Sequence, residues 1–262
     1  MFRRIILVIP AIFILTQSCS TIEKDQVYKD GVQARINGND VKARDSFNKS
    51  CSSGYMDACT ALAYMENSAG KKNSAQILYK KVCDSGDQRA CNSLAVLYEE
   101  AGKDNDAKTL YSVACENGNG ISCDNLGTLE ELKKNKTEAA AFYKRACELG
   151  FVGGCSNLGN LEIRSGDEAE GKQLFRMSCD AGESIGCFAV GDLEEDQGNA
   201  EEARKLYKKA CDMDGKMGCH ALGLMDRKKQ DYTSARKFFN KACNNGVNES
   251  CLVLEKMTET GR

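Results

Sequence analysis

The sequence has one proline, Pro10, one histidine, His220, and no tryptophan. A single proline over this length points to long helices and few proline turns. A lone histidine excludes any site that needs two imidazoles. Charge of one sign is lacking too, since 36 Lys and Arg stand against 38 Asp and Glu. That balance, with an isoelectric point near 5.7, argues against a nucleic-acid binder that depends on a basic field. The N-terminal apolar run, Ile5 to Leu15, is too short to span a bilayer. The remaining composition, 42% hydrophobic and 28% charged, is that of an ordinary globular protein and rules out wholesale disorder. The length allows one or two domains. Cysteine is the exception to this scarcity, with 15 in the chain.

The first residues read MFRRIILVIPAIFILTQSC. Arg3 and Arg4 form a positive head, the apolar run follows, and Pro10 weakens any stable membrane helix. This is the pattern of a signal peptide over residues 1–18. Leu15-Thr16-Gln17-Ser18-Cys19 resembles a bacterial lipobox, although Leu15 lies four places before the cysteine instead of three. Cys19 is therefore the expected lipidation site, with residues 19–21 as a short tether. Ordinary cleavage with a free thiol is the alternative.

The other cysteines pair as Cys51/Cys59, Cys83/Cys91, Cys115/Cys123, Cys147/Cys155, Cys179/Cys187, Cys211/Cys219 and Cys243/Cys251. Every pair is C-x7-C, and the pairs recur at one unbroken period from Cys51 to Cys243. A fixed period of this size means stacked units. With the first cysteine of each pair as zero, position 3 is Gly54, Gly86, Gly118, Gly150, Gly182 and Gly246, interrupted by Asp214 before Gly215. Position 11 is Leu or Val, position 14 is Leu or Met, and position 28 is aromatic from Tyr79 to Phe239.

Each unit reads as two helices. Ala90, Cys91, Leu94, Ala95, Leu97 and Tyr98 share one face of a 3.6-residue period, helix A. Ala107, Leu110, Tyr111, Ala114 and Cys115 share another, helix B, with Asp104 or Asn105 expected as its N-cap. Asn199/Glu202 and Asp167/Glu170 have capping-box spacing. Glycine at position 3 suits the left-handed residue that ends helix B. Residues 22–50 form a first unit without cysteines, 51–242 six regular units, 243–258 a last capping helix, and 259–262 a tail.

The first cysteine closes helix B and the second lies early in the next helix A. A tight glycine turn can bring such residues within disulfide range, so each bridge would staple one unit to the next. Zinc would want C-x2-4-C pairs converging in fours, and a reduced cytosolic set conflicts with the signal segment. No metal or cofactor is expected.

Blocks such as Phe142-Tyr143-Lys144-Arg145-Ala146-Cys147-Glu148-Leu149-Gly150 and Cys155-Ser156-Asn157-Leu158-Gly159-Asn160-Leu161 resemble Sel1-like repeats, relatives of the tetratricopeptide repeat. With C-x7-C in every unit the chain is most similar to the Helicobacter cysteine-rich protein type, although its 32-residue units are shorter than the usual Sel1 repeat. The resemblance implies an all-α fold, an α/α solenoid (superhelix) of disulfide-linked helix-turn-helix units, acting as an interaction scaffold. It also implies an alternative, since members have been described as β-lactam-binding or weak β-lactamase proteins. S-x-x-K occurs at Ser46–Lys49, Ser68–Lys71 and Ser234–Lys237, but S-D-N and K-T-G are absent. No catalytic residue is assigned.

A partner is expected on the face formed by positions 9 and 13 of helix A. These are Thr60/Tyr64, Asn92/Val96, Asp124/Thr128, Ser156/Asn160, Phe188/Asp192 and His220/Leu224. They make a polar ladder with an apolar end near Phe188 and Leu224, suited to an extended peptide or a surface helix, or else an ordinary solvated face. His220 reads as a surface member of this ladder. Helix-B charges such as Glu201, Arg204, Lys208 and Lys209 are expected to face solvent. The expected protein is a monomer in the periplasm, outer membrane or cell surface, attached to membrane through its N-terminal lipid and binding an unknown protein or peptide.

Overall fold

The computed structural model describes residues 25–259. The signal segment, Cys19 with its tether, and the end of the tail lie outside the described residues. Within them the chain is helical throughout, with no strand. It divides into two compact units, one ending at Ala114 and one beginning at Cys115. The first holds α1 (residues 25–36), α2 (Asp40–Ser52), α3 (Met56–Ser68), α4 (Lys72–Asp84), α5 (Gln88–Glu100) and most of α6 (Asp104–Glu116). The second holds α7 (Gly120–Leu132), α8 (Lys136–Glu148), α9 (Val152–Ser165), α10 (Glu168–Asp180) and α11 (Ser184–Asp196). It continues with α12 (Ala200–Asp212), α13 (Lys216–Lys228), α14 (Tyr232–Asn244) and α15 (Asn248–Glu259). In each, consecutive helices pack together, which is the expected α/α solenoid of helix pairs. Odd-numbered helices are the A helices and even-numbered ones the B helices.

The repeating unit is itself two near-identical halves. Most helices share one length, and positive-φ residues recur at half the cysteine period, from Gly38 and Gly54 through to Gly246. At the end of α2, Gly54 N–H donates to the Cys51 carbonyl at 2.9 Å and Tyr55 N–H to that of Ser50 at 3.1 Å, the paired bonds of a Schellman turn. Three turns do the same without glycine: Lys134 (φ 64), Asp214 (φ 59) and Gln230 (φ 61). Asp214 therefore takes the turn position itself, while Gly215 behind it serves as the α13 N-cap at φ −67. A left-handed side chain costs roughly 1–2 kcal/mol and glycine returns part of that as entropy. Lys134→Gly and Gln230→Gly are each expected to stabilise the chain by about 1 kcal/mol in denaturant melts. A loss of stability in both would show that the side chains themselves hold these turns.

The core follows the phase of the repeat. Leu62, Leu94, Leu126, Leu158, Val190 and Leu222 at position 11 are buried, as are the position-28 rings Tyr79, Tyr111, Tyr143, Phe175, Tyr207 and Phe239. Small residues of the A helices make room for these rings. A Cβ on Gly127 would come within 2.5 Å of Tyr143, and one on Gly223 within 2.6 Å of Phe239. Where the ring is tyrosine it needs a partner. Tyr111, Tyr143 and Tyr207 donate to Glu99, Glu131 and Glu195 at 2.9, 2.8 and 2.8 Å. Where the ring is Phe175 or Phe239, the residue twelve places earlier is Ile163 or Arg227, with no carboxylate to satisfy. Burial first, and then the carboxylate, pushes the Tyr143 phenol up to about 12. Tyr111 and Tyr207 shift in the same direction for the same reasons.

All seven C-x7-C pairs are joined as disulfides, with Cα separations from 4.5 to 5.0 Å. Each ties a B helix to the following A helix. The A-helix sulfurs also approach backbone carbonyls. Those of Cys59, Cys123, Cys187 and Cys219 lie 3.6 to 3.7 Å from the carbonyl of their own bridge partner. That of Cys251 lies 3.6 Å from the Val247 carbonyl instead. In a free cysteine such a contact would be a thiol donating to oxygen. Here the sulfurs are bridged and carry no proton, so the contacts are packing and not hydrogen bonds. Cys59, Cys123 and Cys219 are fully buried, whereas Cys251 is half-buried, on the last described helix.

A second set of ties crosses the same junctions, and the sequence shows only a broken recurrence of the residues that make it. Buried acids on A helices pair with bases on the preceding B helices. Glu66 meets Arg44, Lys172 meets Glu194 at 3.0 Å, and Arg204 meets Asp226 at 2.5 Å. Arg176 adds a second contact to Glu194 at 3.0 Å. Arg204 is thus not simply a solvated charge, unlike exposed Glu201, Lys208 and Lys209. It turns inward because Asp226, 2% exposed, has to be neutralised. Long bases near the ends of B helices also reach back one unit. Lys81 and Lys241 donate to the carbonyls of Cys51 and Cys211 at 3.1 and 2.7 Å, meeting the negative end of the previous B helix.

Caps depart from expectation in two places. α6 starts at Asp104, so neither Asp104 nor Asn105 precedes the helix as a cap; both lie in its first turn. Asn199 stands at the α12 cap but makes no cap bond; its amide nitrogen donates to buried Glu194 at 2.8 Å. Asp167 does cap α10, accepting from Glu170 N–H at 3.0 Å.

Candidate functional site

Positions 9 and 13 lie one turn apart on each A helix, and tertiary packing treats them differently. At position 13, Tyr64, Thr128, Asn160, Asp192 and Leu224 are exposed and Val96 is half-buried. At position 9, Thr60, Asn92, Asp124 and Phe188 are half-buried, while Ser156 and His220 are buried. Position 9 points toward adjoining helices, which sets its polarity. Asn157 on α9 donates to Asp124 at 2.8 Å. Ser156 and Ser178 share a hydrogen bond at 2.7 Å. Burial raises the Asp124 carboxyl above its ordinary range, with the Asn157 amide opposing it.

His220 corrects the expectation of a surface residue. It is 6% exposed, and its Nδ1 lies 2.7 Å from the Ser250 hydroxyl of α15. Its ring sits 5.6 Å from that of Phe239. Burial lowers its pKa, the nearby Arg227 adds to this, and Glu249 opposes it. A histidine–serine contact of this length suits a base and nucleophile in geometry, but Ser250 has no exposed surface and a substrate carbonyl has no route to it. The three S-x-x-K motifs find no such arrangement either. Ser46 is 9% exposed on α2, Lys49 pairs with Asp45 at 2.8 Å, and Lys71 lies 3.7 Å from Glu66. Ser234 lies in the first turn of α14, where Asp231 caps its N–H. Among the described residues no group of three His, Cys, Asp or Glu is placed to hold a metal ion.

Six of the ladder residues line cavities. In the first unit a cavity of about 500 Å³ is bounded by Tyr28, Val32, Ile36, Thr60 and Tyr64, with Arg35 and Arg89 at its edge. Tyr28 packs 5.2 Å from Tyr55 and 5.6 Å from Phe47, ring to ring, and Arg35 lies over Tyr64. In the second unit a cavity of about 190 Å³ gathers Phe188, Asp192, Tyr207, His220 and Leu224. Phe188 and Leu224, expected as the apolar end of the ladder, line it together with the charged Asp192, Glu195 and Lys228. A larger one, about 590 Å³, lies on the helix-B side of α2 to α4 and is not foreshadowed in the sequence. There Val41 and Ile77 stand 82% and 72% exposed beside the Arg44–Glu66 pair. Two isolated apolar residues on charged helices leave no periodic signal, so no pattern could have flagged them.

Family models agree with this geometry. A Sel1 repeat model matches residues 106–151 and 216–247, and a tetratricopeptide repeat model matches 186–217. Residues 106–151 and 216–247 thus match Sel1 repeats. A Sel1 repeat protein from Oxalobacter formigenes superposes with a TM-score of 0.69 at 18% identity, covering 83% of this chain and 99% of that one. The Escherichia coli protein c5321, a protective antigen with an SLR fold, gives 0.67 at 20% identity, over 91% of this chain. The match spans 57% of the antigen's length. The Pseudomonas aeruginosa protein pilF gives 0.57 at 18% identity, over 81% of this chain and 99% of that one. Identities this low establish the fold alone. No curated protein gives a significant match. Sel1 and tetratricopeptide repeats are scaffolds for protein–protein interaction, which is the level of function the family match supports. No described helix is long and apolar enough to cross a membrane.

Proposed function

We propose that this Sel1-repeat chain is an exported scaffold, anchored through a lipid on Cys19, that holds a protein or peptide partner in the bacterial cell envelope. The observation that carries the reading is the disulfide at every one of the seven B-to-A junctions. Disulfides on this scale persist where the surroundings are oxidising, and the basic-then-apolar N-terminus supplies the export signal. The partner face is that of the A helices, where exposed position-13 residues border the two ladder cavities. The chain acts as a monomer and touches the membrane only through its anchor.

Intact-mass measurement of the protein from its native host tests this. The mature species should begin at Cys19, carry acyl mass on that residue, and weigh about 14 hydrogens less than the fully reduced chain. Retention of residues 1–18, or fourteen alkylatable thiols, would defeat the export reading. Crosslinking in intact cells followed by mass spectrometry should then place the partner on peptides that contain A-helix residues.

A further inference from the structure

We propose that the cavity on α11, α12 and α13 receives the guanidinium group of an arginine presented by the partner polypeptide. This rests on the scaffold reading and names the chemistry it would recognise. The cavity measures about 190 Å³, room for one side chain and too little for a helix. Its walls are apolar: Phe188 lies 5.7 Å from Tyr207, ring to ring, and Met217 and Leu224 are 43% and 37% exposed beside them. Its polar groups include acids. The buried Tyr207 hydroxyl donates to Glu195 at 2.8 Å and lies 3.5 Å from Asp192, which holds two carboxylates on one phenol. Burial, and then repulsion from Asp196 and Glu195, raises the Asp192 carboxyl above its ordinary range.

Among the described residues neither Asp192 nor Glu195 is paired with a lysine or arginine. The contrast is with Glu131, at the same repeat position as Glu195, which Arg164 closes from the next A helix. Lys228 stands at the matching offset from Glu195 and lines the cavity, yet it makes no ion pair among the described residues. His220, also in the lining, is held toward its neutral form by burial. The site is thus an aromatic and methionine-walled slot with unneutralised negative charge. Arginine suits it better than lysine. Its planar group donates to both carboxylates at once, stacks on an aromatic face, and is weakly hydrated.

Methionine-methyl NMR on the oxidised mature protein tests this, because Met217 and Met225 both line the cavity. The probe is a capped Gly-Gly-Arg-Gly-Gly peptide, with citrulline, lysine and choline comparisons. The arginine peptide should shift both methyl signals saturably with a Kd of about 1 mM. Citrulline, which keeps the shape and loses the charge, should bind about tenfold more weakly. Asp192→Asn and Glu195→Gln should each weaken binding by about fivefold, and Lys228→Gln should tighten it about threefold by removing the competing cation. If either acid variant misfolds, the citrulline comparison and Lys228→Gln decide. Equal response to citrulline, silent Met217 and Met225 signals, or saturation by choline but not by arginine would overturn the proposal. A partner crosslinked equally well to the Asp192→Asn/Glu195→Gln chain would overturn it and leave the scaffold standing. Absence of any partner would remove the scaffold without touching the NMR result.

Discussion

Reduction of the seven disulfides should unfold this chain at ambient temperature in the absence of denaturant. Each bridge closes a loop with a sequence separation of 8, worth roughly 2.5 kcal/mol in the chain-entropy model. The contributions are not additive. A folded domain nevertheless has only about 5–15 kcal/mol in total, so losing a few bridges is enough. The bridges also lie at the junctions between one hairpin and the next. An isolated helix pair cannot bury its apolar face, so the junctions carry the cooperativity. Opening one bridge gives a graded version of the experiment. Cys179 and Cys187 are 2% and 0% exposed in the middle of the second unit. Cys179→Ala/Cys187→Ala should cost about 3 kcal/mol in guanidinium melts. A fully reduced chain that keeps its helical circular dichroism and melts within a few degrees of the oxidised one would show that the bridges are not what holds the array.

Replacing Arg204 with methionine should cost about 3–5 kcal/mol, because it leaves Asp226 charged and buried with no cation. One of the Asp226 carboxylate oxygens, Oδ2, already lacks a hydrogen-bond partner, so little else can compensate. The double variant Arg204→Met/Asp226→Leu should recover most of the loss, since apolar replacement of both partners is often neutral or stabilising. Denaturant melts of the four proteins in the cycle give the coupling directly. Full loss in the double variant would mean that Arg204 supports α12 through packing alone. The corresponding pair at Lys172 and Glu194, reinforced by Arg176, should behave alike but more mildly, because Arg176 remains to neutralise Glu194.

Those ion pairs mark where sequence reasoning falls short. Acids at position 15 and bases seven places before the cysteine do recur, as Glu66 with Arg44 and Asp226 with Arg204. The recurrence is broken, because Tyr98 stands at position 15 and Ala140 at the basic one. Charged residues on helices are ordinarily solvated, so a broken charged pattern reads as surface. His220 reads as surface for the same reason. One turn from Leu224 it belongs to the face of its helix, and Ser250 on α15 and the Phe239 ring on α14 hold it inside. The second left-handed position is legible but interrupted. Gly38, Gly70, Gly102, Gly166 and Gly198 keep the cysteine period, and Lys134 and Gln230 break the series.

The alternation of helix and turn, the apolar faces, and the pairing of each cysteine with its neighbour follow from the sequence by itself. They depend on residues within about two helical turns of each other, and local spacing decides them. Which polar side chains go inside, which carboxylates stay unpaired around a cavity, and where an A helix offers a slot depended on the tertiary structure. Those outcomes turn on partners a whole hairpin away along the chain, brought together when one hairpin packs on the next, and no local period encodes that contact.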